Sequence, residues 1–153
     1  MGEFVWSFPL DKEVDKWTQE KLIGSVSDFL ADWKAHGKPL SSRVSLAENR
    51  FLIVRVKEEI AQASGCSKDK LYHFIENECQ KLGFNLAPGH LFFIRTEQGI
   101  ASFSRKELRE NIEKNRLFSE NEIFTTWITD GKEWGEKWGK QVREVLPGIS
   151  HIA

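Results

Sequence analysis

The stretch that decides the fold is ENRFLIVRVKEEIAQASGCS, which runs from Glu48 to Ser67. Its centre, Phe51–Val56, is a nearly continuous apolar run rich in β-branched residues, which is typical of a central strand buried on both faces. The stretch ends in a small polar corner, Ser64-Gly-Cys-Ser67, at which we predict that a helix begins. The sequence therefore predicts a buried strand followed by a helix that packs against the same sheet.

The composition of the 153 residues is that of an ordinary globular protein, with 40% hydrophobic and 29% charged residues. The 22 basic and 23 acidic side chains give a net charge of -1, so the chain lacks the basic excess of a nucleic-acid-binding protein. No apolar run approaches the roughly 18–20 residues that a membrane-spanning helix needs. Two cysteines fit a reducing compartment. We therefore expect a single cytoplasmic domain, residues 1–153, whose partner is neither nucleic acid nor membrane.

Hydrophobic periodicity along the first two thirds of the chain alternates between the patterns of strands and of helices. The predicted order is β-α-β-β-α-β, with strands at Val5–Leu10, Leu40–Leu46, Phe51–Val56 and His90–Arg95. This order matches the split β-α-β unit of a ferredoxin-like fold, in which both helices cover one face of a mainly antiparallel sheet. We therefore predict an α+β fold with a ferredoxin-like core and a C-terminal β-α-β-α extension.

Helix ends are also marked in the sequence. Asp11 is the expected N-cap of the first helix, and His36-Gly37 its expected end. Ser104 and Glu107 have the spacing of a capping box, in which each side chain binds the other residue's backbone N–H. A strand is expected at Glu122–Ile128. After it, one long final helix is expected to carry four apolar residues in line: Trp134, Trp138, Val142 and Val145.

The strongest candidate site is the corner formed by Ser64, Gly65, Cys66 and Ser67. Free backbone N–H groups and the helix dipole make a helix start a favourable place for an anion. The same field lowers the pKa of a cysteine such as Cys66 and makes it more nucleophilic. His73 lies two turns further on, about 10 Å along the helix axis, so a base for Cys66 has to come from elsewhere. The alternative is that these small residues only cap a helix at a tight corner.

Polar residues at two other places are candidates for the same ligand. Arg50 has a forked guanidinium that suits carboxylate or phosphate, and Asn49 stands beside it in the expected turn. His36 is a candidate base or ligand contact if its helix end faces the same corner. Each also has a structural interpretation, because Asn tolerates unusual backbone angles in turns and His meets exposed carbonyl groups at helix ends.

Several classes of site are not supported by the sequence. Cys66 and Cys79 are too far apart for a paired metal ligand, and the four histidines show no His-x-x-x-His spacing. The chain has no Gly-x-Ser-x-Gly motif of a hydrolase. It also lacks the Gly-rich phosphate and dinucleotide loops. We therefore expect no metal and no cofactor.

Three segments together resemble a family of small uncharacterised bacterial proteins: Trp33-Lys-Ala-His-Gly-Lys-Pro-Leu40, Asn49-Arg-Phe-Leu-Ile-Val54 and Ala63-Ser-Gly-Cys-Ser67. Members of that family are often labelled ABC-transporter ATPases. The label implies ATP hydrolysis, but this chain has neither a phosphate-binding loop nor a Leu-Ser-Gly-Gly-Gln-like signature, so we reject ATPase activity. The resemblance spans roughly the first half of the chain. It implies that the family's motif positions include Trp33, His36, Gly37, Asn49, Arg50 and Ser64–Ser67, without a catalytic role for any of them.

These observations lead to three hypotheses. In the first, the domain binds a small anionic ligand or a protein partner at the Ser64–Ser67 helix start, with Asn49, Arg50 and Trp33 nearby and without catalysis. In the second, it is a cysteine-dependent enzyme or redox sensor with Cys66 as nucleophile and His36 or His73 as base. In the third, exposed tryptophans of the last helix anchor a protein partner.

Overall fold

The computed structural model describes residues 2–32, 34–35, 38–39, 42–57 and 65–151, with the backbone alone at residues 34, 35, 38, 39, 65–67, 150 and 151. Internal contacts group the chain into two compact units, where the composition predicts one domain. The first unit is Met1–Ala87 with Thr129–Gly131, and the second is Pro88–Ile128 with Lys132–Ala153. Each combines helices with antiparallel strands, which confirms the α+β class.

The elements described up to Ala87 are, in chain order, β1 (Glu3–Pro9), α1 (Lys16–Ala31), β2 (Lys34–Ala35), β3 (Lys38–Pro39), β4 (Ser42–Ala47), β5 (Phe51–Lys57) and α2 (Gly65–Lys81). The main sheet of this unit has the order β1-β5-β4 and is antiparallel. Strands β2 and β3 form a separate short ladder. The strand predicted from the apolar run at Phe51 is therefore confirmed as the centre of the sheet.

Both faces of β5 are buried along most of its length. The side chains of Phe51, Leu52, Ile53 and Val54 are at most 1% exposed. Val54 faces Trp6 of β1 on one side and β4 on the other, so the strand has no free edge here. This double burial explains why the sequence shows an almost unbroken apolar run and not an alternating one.

One hydrophobic core joins both helices to the sheet. Alternate residues of β1 and β5 point into it, and each helix contributes an apolar stripe spaced three to four residues apart. The fully buried members from the helices are Leu22, Val26 and Leu30 of α1 and Leu71, Ile75 and Cys79 of α2. Both helices therefore pack against the same set of strand residues.

The ends of α1 differ from those predicted. Its N-cap is Asp15, whose carboxylate accepts the N–H of Thr18 at 2.8 Å, and not Asp11. The helix does not begin at Asp11 because the N–H of Val14, which an Asp11 cap would bind, donates to the main-chain oxygen of Asn49 instead. At the other end α1 stops at Ala31, before the predicted end, and His36-Gly37 lie outside the described residues.

The strand predicted at His90–Arg95 belongs to the second sheet. It is β6 (Phe92–Thr96), which pairs with β7 (Gly99–Phe103) and β8 (Glu122–Phe124) and not with β1. Two short segments lie along β1 instead. Ala87 donates its N–H to Pro9 at 2.8 Å, and the N–H of Val5 donates to Thr129 at 2.8 Å. Pro88 has no N–H to donate, so the first of these pairings stops there.

The remaining elements are α3 (Arg105–Glu113), α4 (Gly131–Lys137), β9 (Lys140–Gln141), α5 (Val142–Val145) and a 3-10 helix (Pro147–His151). The sheet of the second unit has the order β7-β6-β8-β9. The predicted capping box at the start of α3 is confirmed, because Ser104 accepts the N–H of Glu107 at 3.1 Å and Glu107 accepts that of Ser104 at 2.8 Å. The buried core residues here are Ile94, Leu108, Leu117, Ile123, Val142 and Ile149.

The single long final helix predicted through Trp134 and Val145 is wrong. The helix stops after Lys137 because Gly139 takes a positive φ of 72° and donates its N–H to Ile123 of β8. A short strand and a second, four-residue helix follow. The predicted strand Glu122–Ile128 is likewise shorter and ends at Phe124.

The close approach of Gly131 to Glu3 of β1 can be tested by substitution. A Cβ at residue 131 would lie 2.7 Å from the main-chain oxygen of Glu3, whereas one at Gly135 in α4 meets nothing within 4 Å. We expect Gly131→Ala to lower the free energy of unfolding by roughly 1–3 kcal/mol. Gly135→Ala should leave it unchanged or raise it by up to about 1 kcal/mol, because Ala favours the helix. Urea unfolding of both variants measures the difference, and equal stabilities would contradict this packing.

Candidate functional site

Helix α2 begins where the sequence predicts. Its first residue is Gly65, and Cys66 and Ser67 follow in the first turn. The N–H groups of a first turn have no carbonyl partner within the helix. Ser64 lies outside the described residues, as do Trp33 and His36. The helix start is therefore in place, and what it can bind depends on the side chains around it.

Contacts with β1 give the direction of α2. Near its start, the Lys68 ammonium lies 5.7 Å from the centre of the Trp6 ring. One turn later the Tyr72 ring lies 6.4 Å from that of Phe8. The helix thus runs alongside β1 in the same direction. Its start is at the end of the sheet where β1 begins and β5 finishes, which we call the Glu3 end.

Asn49 and Arg50 lie at the opposite end of the sheet. Both are in the turn that precedes β5, and seven strand residues, Phe51–Lys57, separate them from the Glu3 end. A strand of that length spans about 23 Å at roughly 3.3 Å per residue. The structure therefore does not bring Asn49 and Arg50 to the start of α2, although the sequence analysis groups them with it.

The guanidinium of Arg50 holds the chain between β1 and α1. Its Nε donates to the main-chain oxygen of Leu10 at 3.0 Å and its Nη2 to that of Asp11 at 3.2 Å. The residue is only 9% exposed. Burial lowers the pKa of Arg50 below its ordinary value, and the nearby carboxylates of Glu13 and Asp11 oppose that shift. These contacts indicate a structural role.

Asn49 belongs to the same local network. Its φ is 58°, in the left-handed region that Asn tolerates, and Glu48 before it has a φ of 55°. The Asn49 Oδ1 accepts the side-chain N–H of Gln19 at 2.9 Å, and the same Gln19 amide donates to Val14 at 2.8 Å. The turn and the loop before α1 are therefore fastened to each other.

The structure defines the environments of Cys79 and of His73, which was proposed as a base for Cys66. Cys79 is fully buried in the first core, and burial, aided by the charges of Asp11, Glu78 and Glu76, raises its pKa to about 12. Its thiol is thus protonated at neutral pH. The His73 side chain is 71% exposed and lies 3.8 Å from Glu76, one turn further along α2.

A cationic cluster at the Glu3 end was missed by the sequence analysis. Arg43 of β4 lies directly opposite Arg55 of β5, and Lys57 follows two residues later on the same face. Glu3 bridges the two arginines, at 3.6 Å from Arg43 and 3.2 Å from Arg55. With Ser42, these side chains line a cleft of about 250 Å³. Only the antiparallel register reveals the cluster, because its residues are scattered over more than fifty positions.

The tryptophan of α4, Trp134, does not present an exposed anchor. Trp134 is 9% exposed, and its ring stacks on that of Trp138 with 4.7 Å between centroids. Exposed tryptophans in the described part of the chain are Trp17, at 63%, and Trp127, at 43%. The expectation that the last helix offers such anchors is therefore wrong for Trp134.

The contacts of Arg50 lead to a stability prediction. Arg50→Ala removes charged hydrogen bonds to the main-chain oxygens of Leu10 and Asp11, so we expect a loss of roughly 2–4 kcal/mol in the free energy of unfolding. Arg43→Ala is the matched control, because the Arg43 side chain is 76% exposed and should matter little to stability. Urea unfolding measures both. Equal losses would show that the guanidinium of Arg50 does not hold the loop.

The burial of Cys79 leads to a prediction of reactivity. In the folded protein at pH 8, iodoacetamide should leave Cys79 unmodified, since a thiol with a pKa of about 12 carries almost no thiolate there. In urea the same cysteine should react fully. Peptide mass spectrometry measures the extent of alkylation of each cysteine separately. Rapid modification of Cys79 in the folded protein would contradict its burial.

None of the described helices is long and apolar enough to cross a membrane. Among the described residues, no three His, Cys, Asp or Glu side chains gather as a metal ion would require. Comparison with protein-family models, curated proteins and solved structures finds no match to this chain.

Proposed function

We propose that this chain is a non-catalytic cytoplasmic protein that binds a small anionic ligand at the Glu3 end of its first sheet. The ligand, a free phosphate or carboxylate or such a group on a partner protein, would lie in the cleft beside Arg43 and Arg55, on the face of the sheet opposite α1 and α2. The start of α2, which the sequence predicts at Ser64–Ser67, shares this end of the sheet but lies on its other face, so it is separate from the cleft. The cationic cluster, and not Arg50, supplies the positive charge of this site.

The observation that carries this proposal is the cross-strand pair of Arg43 and Arg55. Like charges directly opposite each other destabilise a sheet. Glu3 faces both arginines, and Lys57 adds a third cation to the lining of the cleft. Guanidinium groups bind oxyanions through paired hydrogen bonds. An oxyanion in this cleft would relieve the repulsion and gain those bonds.

The start of α2 adds positive charge to the same end of the sheet, on the face opposite the cleft. The free N–H groups and the dipole of a helix start favour an anion by about 0.3–1 kcal/mol. Lys68 and Lys70 are exposed within the first two turns of α2 and add positive charge at this end. Asp69 is exposed beside them and offsets part of it. The net effect is an end of the sheet that attracts small anions.

We also propose that the first unit is ferredoxin-like and that the second unit is its extension. In support of this, the order β1-β5-β4 corresponds to three of the four strands of a ferredoxin-like sheet, and α1 and α2 pack on one face of it. The segments at Ala87 and Thr129 take the place of the fourth strand beside β1. Membership in the bacterial family remains part of the proposal, with Asn49 and Arg50 as motif positions that serve the fold.

The alternative function is a cysteine-dependent enzyme or redox sensor with Cys66 as nucleophile. One observation favours it, namely that Cys66 lies in the first turn of a 17-residue helix, where a thiol pKa falls. The exposed His73 is too far along the helix to act as its base directly. The inert Cys79 has one practical consequence, since alkylation of the native protein then reports on Cys66 alone.

Anion binding predicts a rise in melting temperature. At ten times its dissociation constant, phosphate or sulfate should raise Tm by about 3–6 °C when compared with chloride at equal ionic strength. Arg43→Ala should abolish most of that rise. Arg116→Ala, the same change at an exposed arginine of the second unit, should keep it. Differential scanning fluorimetry measures all three, and an unchanged rise in Arg43→Ala would reject the site.

The alkylation rate of Cys66 against pH tests the alternative. A midpoint well below the free-cysteine value of about 8.5 would move the enzyme and redox functions ahead of simple binding. Because the proposed function needs no reactive thiol, we expect a midpoint near that of a free cysteine. If phosphate also slows the reaction, the bound anion lies close to the first turn of α2.

A further inference from the structure

The second unit carries a cleft that the proposed function does not use. Its larger part, about 320 Å³, lies between α3 and the C-terminal turns and is lined by Arg105, Arg109, Val145, Leu146, Pro147, Gly148 and Ile149. A second part of about 260 Å³ shares Arg105 and Leu146 with the first. It is lined further by Gly89, His90, Leu91, Phe92 and Trp127. We call the two parts together the Arg105 cleft.

Two arginines project into the larger part from one face of α3. Arg105 and Arg109 are four residues apart, so their side chains are neighbours on the helix surface. The helix is fixed by its capping box and by Leu108, which is fully buried. Among the residues that the structure describes, neither arginine forms an ion pair with a carboxylate. The pair therefore offers two positive charges on a rigid support.

The environment of Arg109 points to a missing acceptor. Its Nε is buried, and no described residue accepts a hydrogen bond from it. A buried N–H without an acceptor costs free energy, and the cost is larger for a charged group. An oxyanion in the cleft would supply the acceptor and place its negative charge between the two guanidinium groups.

The smaller part of the cleft has an aromatic wall. The guanidinium of Arg105 lies 5.5 Å from the centre of the Phe92 ring, which holds it in a cation–π contact. The Phe92 ring meets that of Trp127 edge to face at 5.3 Å. Trp127 is nevertheless 43% exposed, so much of its indole remains open to a ligand. An aromatic surface and a charged fork therefore stand side by side.

We propose that the Arg105 cleft binds a small organic anion in which an aromatic ring carries a carboxylate or a phosphate. The oxyanion pairs with Arg105 and Arg109, while the ring packs against Trp127 and Leu146. The two volumes together suit a ligand of that size. This site uses none of the residues of the Glu3 end, so it stands or falls independently of the proposed function.

Isothermal titration calorimetry on the full chain tests this proposal with three naphthalene probes. The probes are 2-naphthoate, 2-naphthyl phosphate and the neutral 2-naphthamide. We expect at least one of the two anions to bind and the amide to bind at least tenfold more weakly. The anion that binds more tightly shows whether Arg105 and Arg109 prefer a carboxylate or a phosphate. Equal binding of the amide, or no binding of either anion at millimolar concentration, would overturn the proposal.

Variants separate the roles of the two arginines and of the aromatic wall. Arg109→Ala should weaken binding of the anionic probe at least tenfold, and Trp127→Ala about fivefold. Arg105→Lys keeps the charge but loses the planar guanidinium, so it should also bind more weakly. This conservative variant keeps the test valid if Arg109→Ala fails to fold. Arg116→Ala should bind as the unaltered protein does. Wild-type binding by both Arg109→Ala and Trp127→Ala would show that the probe binds elsewhere.

Discussion

Strand β5 has buried side chains on both of its faces, and this double burial constrains the elements around it. From Phe51 to Val54 no side chain is more than 1% exposed, so each face needs a covering layer. On one face α1 and α2 supply that layer, and the apolar stripes of both helices meet the same strand residues. The polar residues Arg55 and Lys57 then fall at the rim of the sheet, where solvent and small ions reach them.

The features that the sequence predicts correctly are local ones. The buried run at Phe51, the helix start at Gly65 and the capping box at Ser104 each depend on residues close together in the chain. The errors arise where distant groups compete for a backbone N–H. Asp11 is not a helix cap because Asn49 accepts the Val14 N–H that such a cap would bind, and the last helix breaks at Gly139 because that residue donates to β8. Neither partner can be inferred from the residues that flank it.

The candidate site shows the same division between local and distant information. The helix start at Cys66 is visible in the sequence, but Arg50 is adjacent to β5 in the chain and lies a strand's length from that helix start. The cations that do share its end of the sheet, Arg43 and Arg55, become neighbours only through the antiparallel register. Arg105 and Arg109 were also overlooked, although their spacing is helical, because nothing in the sequence shows that an aromatic wall stands beside them.

The first unit is discontinuous along the chain, since Thr129–Gly131 pair with β1 after the whole of β6, β7, α3 and β8 has intervened. During synthesis β1 emerges before the other described strands, and the partner of its Val5 N–H is made more than a hundred residues later. Until then that edge stays open to pairing with other chains. A fragment ending at Ala87 would keep the edge open permanently, so the boundary between the units is a poor place to cut this protein.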